Sequence, residues 1–241
     1  MAAIPAAVAR AAAGFGLEPE RLRPLGGASG SAWCDGDAVL RVGARVAGEV
    51  LAASAAAGHV PVPRVLGRLE LDGVSAVLLE RVPGRPAGEL ARDRPEVAAA
   101  AGRACGALHA ALAQVACPPG LRDAPGTGGG RRRLLHLDLH PLNVLVDDAG
   151  EPTGVIDWAN AAGGDPELDR ARTWSVLALD PAALELSADP GWAALSDHWL
   201  EAARMHDLPD PARRWACRFM LDDLSARYSQ AELTHIRAAL G

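Results

Sequence analysis

The spacing of apolar and polar positions divides the chain into an extended first third and a helical remainder. Residues 4–16 set Ile4, Val8 and Phe15 among alanines, which predicts a helix ending near Gly14 or Gly16. From Leu22 a short strand leads into the small residues Gly26, Gly27, Ser29, Gly30 and Ser31, and a second strand follows. Asp35-Gly36-Asp37 reads as a hairpin turn, and Ala38-Val-Leu-Arg-Val42 as a third strand. Val46 to Ala57 is a predicted helix, whereas the prolines of Val60 to Leu66 keep that stretch extended. Leu69-Glu-Leu71 and Ser75 to Leu79 form a hairpin around Asp72-Gly73. The period then changes. Val97, Ala101, Ala104, Leu108 and Leu112 follow helical spacing between Glu96 and Ala116, with His109 as a packing residue. Pro118 to Arg133 is a Gly/Pro-rich loop carrying Gly128 to Gly130 and Arg131 to Arg133. Further helices are expected over 167–179, 191–206, 210–227 and 230–240. Trp192, Leu195, Trp199, Trp215, Met220 and Leu224 are their core positions.

Between these parts lies a denser pattern. His136-Leu-Asp138-Leu-His140-Pro-Leu-Asn143 is followed by two short apolar runs, Val144 to Val146 and Gly154 to Ile156. The turn residues Asp147 to Thr153 separate them. A hairpin of that length returns Asp157 to the side of Asn143 and Asp138. Three oxygen-donor side chains then converge, a set suited to a hard cation that carries phosphates. The same residues admit another chemistry: His136, Asp138 and His140 alternate, so on a strand they would share one face and bind Zn²⁺ as in a metal hydrolase.

Composition narrows the class. The chain has 241 residues, 49% hydrophobic and 22% charged, enough to bury a sizeable core. No apolar run reaches membrane-spanning length, and residues 1–10 lack the basic start of a signal peptide. Cys34, Cys105, Cys117 and Cys217 are scattered, which favours free thiols in a reducing cytoplasm. All 24 basic residues are Arg. Residues 134–241 hold 8 Arg against 18 acids, a net charge of −10. That balance argues against nucleic acid as a partner and suits a cationic small molecule.

The loop and its following Asp resemble the aminoglycoside phosphotransferase family of kinase-like small-molecule phosphotransferases. There the loop reads His-Gly-Asp-x-His-x-x-Asn and the second motif Ile-Asp-aromatic, matched here by Ile156-Asp157-Trp158. Leu137 stands where the family has Gly. The resemblance runs over residues 20 to 180 and implies an α+β, two-lobed protein-kinase-like fold. A small antiparallel-sheet lobe would occupy residues 1–83 and a larger helical lobe residues 84–241. It implies Asp138 as catalytic base, Asn143 and Asp157 as Mg²⁺ ligands, and ATP between the lobes. Gly27, Ser29, Gly30 and Ser31 would face the phosphates. Arg41 takes the place of the family's strand Lys, and Glu49 is at the right distance to orient it. Glu80 and Val82 lie in the hinge, where backbone groups hold adenine. Asp165 of Gly164-Asp-Pro166 is expected to cap a helix, and Asp169 to brace the catalytic loop by hydrogen bonds.

The implied reaction is transfer of the γ-phosphoryl group of ATP to a hydroxyl of a small molecule, of which a cationic aminoglycoside is the first candidate. Kinases of choline, homoserine or macrolide type, and a nucleotide-binding pseudoenzyme, are the alternatives. Asp222 and Asp223 are the candidates for reaching an amine on the acceptor. The expected assembly is a monomer or weak dimer.

Overall fold

The computed structural model describes residues 4–25, 32–71, 74–127 and 132–240. Its first part is an antiparallel sheet of β1 (Arg23–Pro24), β2 (Ala32–Asp35), β3 (Ala38–Val42), β4 (Val65–Leu71) and β5 (Val74–Glu80), in the order β1-β2-β3-β5-β4. Side chains alternate across a strand, and β5 shows both faces covered. Ala76 packs with Trp33, Leu40 and the helix α1 (Ala6–Gly14) through Val8, Ala11 and Ala12. Its neighbour Val77 packs on the opposite face with Val46 and Val50 of α2 (Val46–Ala56). The β2–β3 turn at Asp35-Gly36-Asp37 uses Gly36 at φ +58°, a left-handed conformation that Gly adopts without strain. The small residues Gly27, Ser29, Gly30 and Ser31, the turn Asp72-Gly73 and the run from Gly128 to Arg131 lie outside the described residues.

The second part is helical. A short strand β6 (Arg85–Pro86) leads into α3 (Ala87–Asp93) and α4 (Pro95–Leu112). Next come β7 (Arg133–Leu135), the hairpin β8 (Val144–Val146) and β9 (Pro152–Val155), and β10 (Ala162–Gly164), which pairs with β7. The chain ends in α5 (Pro166–Leu179), α6 (Pro181–Leu186), α7 (Pro190–Ala202), α8 (Asp210–Leu224) and α9 (Thr234–Ala238). The core joins α3, α4 and α7 to the hairpin through Leu90, Leu112, Val144, Leu195, Trp199 and Met205. Helices α4 and α7 approach so closely that a methyl group on Gly102 would sit 2.4 Å from the Leu195 carbonyl oxygen. Asp165, Asp180 and Asp189 each cap a helix by accepting a backbone N–H two residues on. The short helices α3 and α6 are additions to the expected elements. Helix α7 stops at Ala202, short of the expected 206, because Arg204 turns left-handed at φ +53°.

The segment linking β7 to β8 depends on one carboxylate. Asp169, on the first turns of α5 and 3% exposed, accepts from the His136 N–H at 2.9 Å and the Leu137 N–H at 2.7 Å. Those two donors point at one oxygen because Leu137 is left-handed, at φ +60°. A Leu in that region costs about 1–2 kcal/mol, which explains Gly as the family's choice. Here the side chain is fully buried with Ala124, Leu135 and Ala162, a gain of roughly 1.5–3 kcal/mol that outweighs the strain. Burial pushes the Asp169 pKa up, but His109, whose Nδ1 lies 3.4 Å from Oδ2, and the Leu137 N–H hold it below the ordinary carboxylate value. Thr173, one helical turn on, donates to the Leu139 carbonyl at 2.6 Å.

Two expectations follow. Asp169→Asn should lower stability by about 1.5–3 kcal/mol, the scale of hydrogen bonds to a charged group. Because its folded pKa is depressed, the Asp169 contribution is fully present above pH ~3.9 and lost as pH falls through the lower folded value. The stability difference between wild type and variant in urea melts should therefore shrink in that acid range. Leu137→Gly should destabilise rather than relieve, because a lost buried Leu costs about 2–5 kcal/mol; a raised Tm would contradict the account.

Candidate active site

The left-handed turn at Leu137 swings Asp138 out of the core, to a side chain 23% exposed. Asp138 makes only loose contacts: its Oδ2 is 3.5 Å from Asn143 Nδ2, and its Oδ1 is 3.8 Å from His140 Nε2 and 3.9 Å from Arg172 Nη2. Asn143 is better fixed. Its Nδ2 donates to the Asp138 carbonyl at 2.9 Å, its N–H to the His140 carbonyl at 2.8 Å, and its own carbonyl accepts from Ile156 at 3.0 Å. That last bond continues the β8–β9 ladder by one rung and delivers Asp157 next to Asn143, as the hairpin spacing predicts.

The histidines do not form a zinc site. Residues 136–143 are a loop, not a strand, so the alternating side chains do not share a face. His136 is fully buried against Trp158, with ring centroids 4.5 Å apart. Its Nδ1 accepts from the Asp138 N–H at 3.2 Å, and its Nε2 lies 3.1 Å from the Ile156 carbonyl, so both nitrogens are engaged. Burial lowers its pKa. Burial also lowers that of His140, and the nearby Arg172 charge adds to the effect, although Asp138 opposes it. Among the described residues no group of three or more His, Cys, Asp or Glu side chains is arranged to hold a metal ion.

The sheet contributes Arg41 from the middle of β3. Its Nε lies 2.9 Å from Glu49 Oε2 on α2, and its Nη2 donates to Asp157 Oδ1 at 3.2 Å. The Glu49 contact is an ion pair rather than an aligned hydrogen bond. One guanidinium thus joins the sheet, its helix and the end of the β8–β9 hairpin. Its fork geometry makes two simultaneous carboxylate contacts possible. Arg41 and Glu49 are nearly buried, whereas Asp157, left-handed at φ +61°, keeps about a third of its side chain exposed. Burial raises the Glu49 pKa, with Asp157 adding like-charge repulsion and Arg41 opposing both. In the connection between sheet and helices, the Glu80 N–H is taken by the Arg64 carbonyl at 2.9 Å, and the Arg81 N–H by the Asp37 carbonyl at 2.8 Å. The Val82 N–H has no protein acceptor among the described residues.

Asp138, Asn143 and Asp157 are therefore brought together as the spacing implies, and Arg41 and Glu49 join them as the family resemblance implies. Asp223 is not free to meet an amine: its Oδ2 lies 2.9 Å from Arg172 Nη2 and 3.4 Å from Arg227 Nη2. The sequence reading missed Arg172, a 3% exposed arginine beside the catalytic loop. A signal existed, since Arg172 is three residues after Asp169 and shares its helix face. A brace to the loop at one position carries the other there too.

The family model described as the phosphotransferase enzyme family, APH, matches residues 37–128 and 116–213, well over half of the chain. The uncharacterized protein YcbJ of Bacillus subtilis (strain 168) is 34% identical over 74 residues, 29% of this chain and only 24% of that protein's length. Among solved structures, the aminoglycoside-3'-phosphotransferase of type VIII superposes with a TM-score of 0.57 at 21% identity, covering 98% of each chain. The streptomycin-ATP-APH(2")-IIa ternary complex gives 0.60 at 14% identity, covering 98% of this chain and 97% of that one. A choline/ethanolamine kinase family protein from Mesorhizobium loti gives 0.55 at 17% identity over 91% and 87%. These likenesses establish the two-lobed kinase-like fold, and the match over most of the sequence establishes the lineage: the chain belongs to the phosphotransferase enzyme family.

Proposed function

We propose that the protein transfers the γ-phosphoryl group of ATP to a hydroxyl of a small molecule. The observation that supports this most is the Arg41 guanidinium, placed by Glu49 and touching Asp157 at the meeting point of sheet and catalytic loop. In this reading residues 1–83 form the nucleotide lobe, and residues 84–241 carry the catalytic loop and the acceptor site. Asn143 and Asp157 are hard oxygen donors, the kind Mg²⁺ takes together with waters and phosphates. The Asn143 amide nitrogen is committed to the Asp138 carbonyl, which leaves its Oδ1 for the cation. Held by Asn143 and Asp157, Mg²⁺ would supply the positive charge that offsets the negative charge developing during transfer.

Each residue then has a task. Asp138 orients the acceptor hydroxyl and takes its proton. Arg41 grips the nucleotide phosphates while Glu49 keeps its guanidinium in place. Gly27, Ser29, Gly30 and Ser31 offer backbone N–H groups and hydroxyls to the same phosphates. The Glu80 carbonyl and the Val82 N–H hold adenine; the Glu80 N–H, already bonded to Arg64, does not take part. We assign the protein to the cytoplasm, where ATP is supplied.

For the acceptor we propose a hydroxylated, amine-bearing molecule of aminoglycoside type. The structural neighbours include a phosphotransferase complexed with streptomycin and ATP and a choline/ethanolamine kinase family protein. Choline-like, homoserine-like and macrolide acceptors belong in the same test. A nucleotide-binding protein without turnover is the second reading, favoured by one observation: Arg41 already occupies an oxygen of Asp157. The deciding experiment is a panel of hydroxylated acceptors with Mg-ATP, followed by mass for one added phosphate. Nucleotide binding with no product on any acceptor would select the second reading.

Asp138→Asn should leave Mg-ATP binding intact and lower kcat by about 10² or more, the scale of a lost general base. Unchanged turnover in the folded variant would remove Asp138 from the mechanism. Arg41→Ala should weaken ATP far more than adenosine, which offers no phosphate to grip; equal losses would make Arg41 a folding residue only. Arg41→Lys should bind ATP worse than wild type, because one ammonium cannot both pair with Glu49 and grip phosphate through two N–H groups.

A further inference from the structure

Arg172 has no part in the reaction as proposed, and its surroundings are unusual. It lies between the catalytic loop and α8, 3% exposed. Its Nη2 reaches Asp223 Oδ2 at 2.9 Å and approaches Asp138 Oδ1 at 3.9 Å. Its guanidinium carbon stands 4.9 Å from the centroid of the Phe219 ring. Its Nε and Nη1 are buried with no hydrogen-bond partner among the described residues. Phe219 and Asp223 lie on α8, beyond residue 213 where the family match ends.

A buried cation with unmet donors is a poor stabiliser, and an apolar side chain in its place is often neutral or better. Stability therefore does not account for Arg172. Asp138 needs what Arg172 has. Among the described residues no side chain holds its carboxylate within 3.4 Å, and of the three that approach, Asn143 is uncharged and His140 Nε2 is engaged by Asn143 Nδ2 at 3.1 Å. Arg172 is the permanent charge at Oδ1.

We propose that Arg172 is a positioning residue for Asp138. It fixes the orientation of the carboxylate through Oδ1, and Asp223 of α8 fixes Arg172 in turn. The proposal rests on Asp138 being the base. It ties the C-terminal helix α8 to the geometry of the reaction centre.

The test uses the full chain with Arg172→Met, Arg172→Lys and Asp223→Asn, and reads four quantities. The first is the carboxylate resonance of Asp138 in protein labelled at aspartate ¹³Cγ, assigned through Asp138→Asn. The others are Tm, the Kd of Mg-ADP, and turnover of Mg-ATP with water or with an acceptor from the panel. For Arg172→Met we expect the Asp138 resonance to move while that of Asp157 stays. Tm should be unchanged or higher. The Kd of Mg-ADP should stay within about twofold while kcat falls roughly 10- to 100-fold, as displaced catalytic groups do. Arg172→Lys should recover only part of kcat, since a point charge cannot hold both carboxylates. Asp223→Asn should have a smaller effect, and the double variant should be no slower than Arg172→Met alone. A stationary Asp138 resonance overturns the proposal, as does a lowered Tm with unchanged kcat. If the wild type turns over no ATP, the kinase reading fails, and the resonance alone then decides whether Arg172 holds Asp138.

Discussion

The Asp169 carboxylate is the constraint on which the catalytic loop depends. It gathers two successive backbone N–H groups, which is possible only if the chain between them turns left-handed. That turn points Leu137 inward and Asp138 outward in adjacent positions. The cost of a non-Gly residue there is covered by packing, so the same residue that strains the backbone also seals the core beneath it. His109 and Thr173 extend the support from α4 and from the next turn of α5. A carboxylate set on a loop is only as well placed as the groups behind the loop, and here those groups come from two helices.

Much of this arrangement was legible in the sequence because it rests on local rules. The β8–β9 hairpin follows from two apolar runs and a turn, and hydrogen-bond register then fixes where Asp157 must land. The capping role of Asp165 follows from Asp-Pro at a helix start, and the third strand from its alternation. The Arg41–Glu49 pair was visible only through family resemblance, since nothing in spacing alone sets β3 against α2. What escaped was tertiary. Helix α3 lies between Pro86 and the Arg94-Pro95 step, too short to show a period, and its Gly88 reads as a breaker until Trp192 is seen packed against it. Arg172 went unnoticed because its partners Phe219 and Asp223 are about fifty positions away.

The charge of the C-terminal half shows how composition misleads about a site. Its net −10 invites the picture of an acidic cleft. In the fold Asp165, Asp180 and Asp189 cap helices, Asp147 closes the β8–β9 turn, Asp169 is buried behind the loop, and Asp223 is paired to arginines. Each of these carboxylates answers a local donor. A cationic acceptor would have to find its field in the acids left over, and the guanidinium nearest to Asp138 works against it.

Two departures from the family pattern share a logic. Leu137 replaces a Gly, and Arg41 replaces a Lys; each puts a larger side chain where a smaller or simpler one is usual. Leu137 is accommodated because Ala124 and Ala162 leave room for it. Arg41 has a use for its extra donors, since Nε faces Glu49 while Nη2 faces Asp157. A Lys ammonium is a single compact charge and would favour one carboxylate over the other. The guanidinium instead spans them, so it couples the position of α2 to that of the metal-ligand candidate before any nucleotide arrives. In this chain one side chain ties the sheet to the end of the β8–β9 hairpin, so the position of Asp157 is set by β3 and α2 as well as by its own hairpin.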